Sequence, residues 1–68
     1  MKLTDMEITN ALAKGFKIRR KNGIAGQKFA IEDTSLVLLC FNEYGRSIPC
    51  DLDIYDLKAT DWEIVENV

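Results

Sequence analysis

The chain has 68 residues, 47% hydrophobic and 29% charged, with a formal net charge of −2. That balance excludes a disordered polar tail, and the length allows one compact domain, residues 1–68, whose thin stability margin asks for good packing or partner subunits. The longest apolar run, residues 36–41, falls far short of the ~18 residues of a membrane span, and Met1-Lys2-Leu3-Thr4-Asp5 lacks the apolar stretch of a signal peptide, so the expected location is the cytoplasm with no membrane partner.

In chain order, Thr4 and Glu7 have the spacing of a capping box, with Leu3 and Ile8 as its hydrophobic staple. Ile8, Ala11 and Leu12 give one apolar stripe, and Gly15 supplies a left-handed stop, so a helix is predicted from about Asp5 to Lys14, lying on a sheet by one face. Phe16-Lys17-Ile18-Arg19 alternates apolar and basic residues, the pattern of a half-buried strand. Lys21-Asn22-Gly23 turns, Gly26 extends the loop, and Lys28-Phe29-Ala30-Ile31 resumes the alternation with Phe29 and Ile31 inward. Glu32-Asp33-Thr34-Ser35 is a second turn. Residues 36–41 are apolar throughout, which predicts a strand covered on both faces. One short helix covers one face only, so the set Val37, Leu39 and Phe41, or its opposite set Leu36, Leu38 and Cys40, must meet another subunit or a folded-back segment; self-association, a homo-oligomer, is the favoured expectation. Asn42-Glu43-Tyr44-Gly45 is a hairpin loop, and Arg46-Ser47-Ile48-Pro49-Cys50 returns as an edge strand because of Pro49. Residues 51–60 form a helical turn or compact loop, and Asp61-Trp62-Glu63-Ile64-Val65-Glu66 is the last strand. The fold expected is α+β: one N-terminal helix packed on a four- to five-stranded, mainly antiparallel sheet.

Little in the composition serves catalysis. Histidine is absent, and serine occurs only at Ser35 and Ser47, in no nucleophile pattern. Cys40 and Cys50 have neither CxxC spacing nor histidine to complete a zinc set, and a cytosolic chain keeps them as thiols, Cys40 in the core. No enzyme, metal or cofactor is expected; binding is the better class of function. Residues 1–31 hold seven Lys/Arg and two Asp/Glu, whereas residues 32–68 hold two and nine. The two halves can therefore pair as neighbouring strands, or present a basic patch and an acidic surface.

The basic cluster Lys17, Arg19, Arg20 and Lys21 is the most suggestive chemistry. Adjacent residues on a strand point to opposite faces, so one of Arg19 and Arg20 shares the face of Phe16 and Ile18. A charge there requires a carboxylate such as Asp61, or a phosphate; alternatively, the alternation breaks at Arg20 with the strand's end and all four charges are solvated. Nucleic acid is disfavoured by a pI of about 4.9 and by aromatics that do not interleave with the basic residues. Asp51, Asp53, Asp56, Asp61, Glu63 and Glu66 are expected to be a solvated acidic surface, or could instead form a phosphate-like row that occupies a basic site on a host protein. Trp62 is expected to anchor the core rather than stack on a ligand, and Tyr44 and Tyr55 to be partly buried, with access to a pocket.

Ala-Leu-Ala-Lys-Gly (residues 11–15) running into Phe-Lys-Ile-Arg-Arg-Lys (16–21), together with Leu-Lys-Ala-Thr-Asp-Trp-Glu-Ile-Val (57–65), resembles the small phage-encoded proteins of the Thoeris anti-defence sponge family. The resemblance covers roughly 25 residues at the two ends. The family usually places a tryptophan soon after its paired arginines, where residues 21–26 here hold none, and its members are usually longer than this chain. The resemblance implies a compact α+β oligomer in the host cytoplasm that binds a cyclic-nucleotide-type immune signal without cleaving it. Arg19 and Arg20 would hold the phosphates, Lys21 would add charge, and Asp61 would orient an arginine or accept a ribose hydroxyl. The alternative expected from the charge pattern is an acidic, protein-binding inhibitor of a host nuclease or polymerase; a subunit whose only activity is assembly is a third.

Overall fold

The computed structural model of the chain describes residues 1–32, 37–50 and 52–65. Strands β1 (Lys17–Arg20), β2 (Lys28–Ile31), β3 (Leu38–Phe41), β4 (Ser47–Ile48) and β5 (Trp62–Val65) form one sheet in the order β4-β3-β2-β1-β5, every neighbouring pair antiparallel. Helix α1 (Met6–Ala13) lies over β1, flanked by β5 and β2, and a one-turn helix α2 (Ile54–Lys58) precedes β5. This is the expected α+β layout, with α2 giving a helical form to residues 54–58 of the stretch expected as a helical turn or compact loop. The turn expected at residues 32–35 falls largely outside the described residues, as do Leu36, Asp51 and Glu66.

Register explains how so small a sheet obtains a core. Ile64, Ile18, Phe29, Cys40 and Ile48 are successive Cα partners across all five strands. Directly opposed residues share a face, so the five side chains form one row on the side of the sheet that carries α1. Ile8 from the helix and Trp62 from β5 complete the buried cluster with Ile18, Phe29 and Cys40, and Leu3, Leu12, Leu38 and Ile48 pack around it. The Phe29 and Trp62 rings meet edge to face at 5.3 Å between centroids, the arrangement that ring quadrupoles favour. Cys40 is buried and Cys50 exposed, both as free thiols.

The end of α1 follows from its sequence. Gly15 takes φ +86°, its N–H donates to Leu12 O, and the Phe16 N–H donates to Ala11 O. These are the paired bonds of a Schellman motif, which satisfy carbonyls that a helix end leaves unpaired. Its start differs from expectation. The Thr4–Glu7 capping box does not form, because Asp5 is the N-cap and its Oδ2 accepts from the Lys2 N–H at 2.8 Å. With the cap one residue later, the position three residues on is Ile8, which is buried in the core and has nothing to reach back with. No helix among the described residues is long and apolar enough to cross a membrane.

The expectation that β3 is covered on both faces holds within the chain on one face only. Cys40 is buried and Leu38 packs on the core, but Leu39 and Phe41 are half-buried on the helix-free face and Val37 is 53% exposed. That face mixes its apolar residues with Lys17, Arg19 and Lys28, and the Lys17 ammonium lies 5.3 Å from the Phe41 ring centroid. Long basic side chains thus shield part of the apolar surface through their methylene stems and a cation–π contact.

Candidate functional site

The chemistry concentrates at the end of β1. Arg19 and Arg20 lie on opposite faces, as adjacent strand residues must. Arg19 is opposite Glu63 in the register and pairs with it on the helix-free face, half exposed. Arg20 follows Ile18 by two and therefore enters the helix side of the sheet, opposite Trp62. There its Nε donates to Asp61 Oδ1 and its Nη1 to Asp56 Oδ1, each at 2.9 Å. A guanidinium has five N–H donors, so three remain beyond these two bonds.

Asp61 also accepts from the Asn22 N–H through Oδ2 at 2.9 Å, while its carbonyl accepts from the Lys21 N–H. One residue thus fixes the arginine and the start of the β1–β2 loop together. Asp56 is held in turn by α2. Asp53 is the N-cap and accepts from the Asp56 N–H, while Asp56 Oδ2 accepts from the Asp53 N–H. The carbonyl of Asp56 takes the Trp62 indole N–H at 2.9 Å. The electrostatics follow these bonds. The Arg20 hydrogen bond, then the Asn22 amide, hold the Asp61 carboxyl below its ordinary range. The Asp53 amide, then Arg20, do the same for Asp56, and the two carboxylates raise Arg20 in return, Asp61 most.

Two clefts meet at this arginine. The first, about 210 Å³, is lined by Arg19, Arg20, Lys21, Glu63 and loop residues 23–26. The second, about 290 Å³, lies on the helix side and is lined by Arg20, Gln27, Phe29, Asp53, Asp56 and the shared loop residues Gly23 and Ile24. The loop between them is tightly built. Gly26 has φ +77°, and a methyl group there would lie 2.8 Å from Glu43 Cα in the hairpin between β3 and β4. The first cleft carries three cations against one carboxylate and suits an anion. The second carries one arginine against two carboxylates over an aromatic wall and suits groups that donate hydrogen bonds.

Of the residues expected at the site, Arg19, Arg20 and Lys21 line one cleft, whereas Asp61 does not line it and acts from behind by holding Arg20 and the loop. Asp56, Gln27 and Phe29 were not expected there. The Asp53-x-x-Asp56 spacing, a helix-start signal, was the available clue to Asp56. Trp62 is 1% exposed and belongs to the core, as expected. Tyr44 and Tyr55 are instead 80% and 76% exposed and line neither cleft, since one sits at a hairpin tip and the other on a single helical turn. Within the expected acidic row, Asp56 and Asp61 pair with Arg20, Glu63 pairs with Arg19, and Asp53 caps α2. Asp51 and Glu66 lie outside the described residues, so much of the described row is engaged inside the molecule rather than offered to a partner. Comparison with protein-family models, curated proteins and solved structures found no match for this chain.

Proposed function

We propose that the protein is a non-enzymatic binding protein that captures a small phosphate-bearing ligand at the β1–β2 loop and sequesters it. One observation carries the reading: Arg19, Arg20 and Lys21, adjacent in sequence but divided between two sheet faces, line the same cleft with loop residues 23–26. Each has a different part. Among the described residues Arg19 pairs with Glu63 alone, at a half-exposed position, so a phosphate competes with that carboxylate at small cost. Lys21 is exposed and adds a flexible charge. Arg20, pinned by Asp61 and Asp56, offers its remaining N–H groups from a fixed position and loses little entropy on binding.

The ligand class comes from the resemblance to phage anti-defence sponges: a cyclic-nucleotide-type immune signal, with host defence countered by its removal. Cleft size is compatible with division of labour. Neither cleft alone exceeds the roughly 300 Å³ at which ligand pockets begin, so the phosphate occupies the basic one and the rest of the ligand extends over the shared Gly23–Ile24 wall toward Phe29.

Native mass spectrometry and calorimetry with a panel of cyclic nucleotides test this. A discrete bound mass is expected, with affinity falling by roughly tenfold or more in Arg19→Ala/Lys21→Ala as charge-assisted bonds are lost. Glu63→Gln is expected to strengthen binding by removing the competing carboxylate. If no panel member binds the folded protein, or if the double variant binds as well as wild type, the reading fails.

A further inference from the structure

Strand β5 ends the sheet on one side, and among the described residues its outer edge is only partly closed. Met1 pairs with Trp62 there: the Trp62 N–H donates to Met1 O at 3.0 Å, and the Met1 ammonium donates to Trp62 O at 3.1 Å and to Thr60 O at 2.8 Å. Backbone groups alternate in direction along a strand, so the N–H and C=O of Ile64, two residues on, also face outward. Beside Ile64 runs a groove of about 280 Å³ between α1 and the edge, lined by Glu7, Asn10, Ala11, Lys14, Phe16 and Ile64. Phe16 and Ile64 are 38% and 36% exposed in it. An open backbone edge beside exposed apolar side chains is a template for strand pairing.

We propose that this edge is the contact by which two copies of the chain associate, β5 against β5 around a two-fold axis through Ile64. The charges of α1 single out a second copy as the occupant. Glu7, Asn10 and Lys14 are spaced three and four residues apart and form one stripe on the β5 flank of the helix. Neither Glu7 nor Lys14 makes a salt bridge among the described residues. A tight turn leads from α1 into β1, and β1 is antiparallel to β5, so α1 runs roughly along β5. The two-fold operation then makes the two helices antiparallel. Because the stripe's midpoint, Asn10, lies beside Ile64, Asn10 meets its own copy at the axis, and Glu7 of each chain faces Lys14 of the other. Spacing agrees: each helix lies over β1, so three inter-strand steps of ~4.8 Å set the axes ~14 Å apart. That exceeds the 8–10 Å of direct helix packing and is a span for long charged side chains. Met1 limits the new ladder to Ile64, so the pairing of Glu7 with Lys14, not a long row of backbone bonds, sets orientation. This interface differs from the helix-free sheet face that the apolar run suggested, and it is independent of ligand capture.

Sedimentation from micromolar to millimolar protein tests the proposal, with circular dichroism confirming that each variant is folded. Wild type is expected to show a concentration-dependent dimer. Glu7→Lys and Lys14→Glu are each expected to weaken it roughly tenfold or more, since like charges then face each other twice. Mixing the two variants restores dimers, because every facing pair is again opposite in sign. Asn10→Arg, which puts two cations on the axis, dissociates the dimer and serves if either reversal disturbs the helix. A wild-type monomer throughout the range overturns the proposal. So does an oligomer that withstands both reversals, or one that is lost in Phe41→Glu on the helix-free face and not in the reversals.

Discussion

Arg20 shows how one residue's placement decides the character of a site. Alternation from Ile18 sends its side chain to the helix side, where an unpaired guanidinium would be costly, and the chain answers with carboxylates from two separate segments, Asp61 and Asp56. Both carboxyls titrate below their ordinary range, Asp61 chiefly through Arg20 and Asp56 chiefly through the Asp53 amide and then Arg20. A folded-state pKa held below the unfolded one gives stability that is fully present above the unfolded value of ~4 and is lost as pH falls through the lowered folded values. The melting temperature is therefore expected to hold from neutral pH down to about 5 and to fall as the pH approaches ~3. Asp61→Asn removes one of the linked groups. Its melting temperature is lower than wild type at pH ~7, and the difference narrows as pH falls below the unfolded value of ~4 toward the lowered folded one. Thermal scans of the two proteins at both ends of that window check this. A difference that stays constant with pH would show that the Asp61 charge contributes nothing to the fold.

At the scale of elements, the strands and α1 were legible because their information is local. Phe29 and Ile31 alternate with Lys28 and Ala30, and β2 occupies the expected residues. Thr4 and Asp5 are both good N-caps one residue apart, and local pattern cannot choose between them; the outcome depends on the Lys2 amide that captures Asp5. Helix α2 was less legible, since five residues are too few for an apolar stripe and none of its residues is buried. Its signal lay in the Asp53-x-x-Asp56 pair. The site divides in the same way. Arg20 with Asp61 could be read from alternation and charge, whereas Asp56, 36 residues away along the chain, depends on where the chain crosses from β4 to β5. Because α2 buries so little, its reciprocal cap carries a large share of its stability. Asp53→Ala is expected to cost about 1 kcal/mol, the usual worth of an N-cap. It also removes the acceptor of the Asp56 N–H, so a sharper consequence should be visible beyond stability. Exchange of the indole N–H of Trp62, held by the Asp56 carbonyl, is expected to quicken in the variant, and proton NMR of that one resonance reads it. Unchanged exchange would mean that α2 is held by something other than its cap.

The whole molecule rests on a one-sided core. The helix side holds Ile8, Ile18, Phe29, Cys40 and Trp62, all nearly inaccessible, while the opposite face is only half closed. Domains have roughly 0.05–0.15 kcal/mol of stability per residue, which for this chain is ~3–10 kcal/mol. Trp62 is the largest of the fully buried side chains and joins β5, α2 and the Phe29 ring. Truncating a core Trp to Ala costs ~3–5 kcal/mol, comparable to the entire margin. Trp62→Ala is therefore expected to be largely unfolded at 25 °C by far-ultraviolet circular dichroism. Phe41 is just as aromatic, but it lies on the face where the Lys17 ammonium is its near neighbour. Phe41→Ala removes only part of a half-exposed area and should cost no more than about 1–2 kcal/mol, on the transfer scale for partial burial. It should remain folded, with the fluorescence of the single Trp62 still that of a buried indole and a urea midpoint only modestly lowered. The contrast tests where stability resides. If Phe41→Ala collapsed the fold as Trp62→Ala is expected to, the helix-free face would be a second core in solution, covered by another copy of the chain, and the pairing of β5 edges would not be the only contact holding the assembly together.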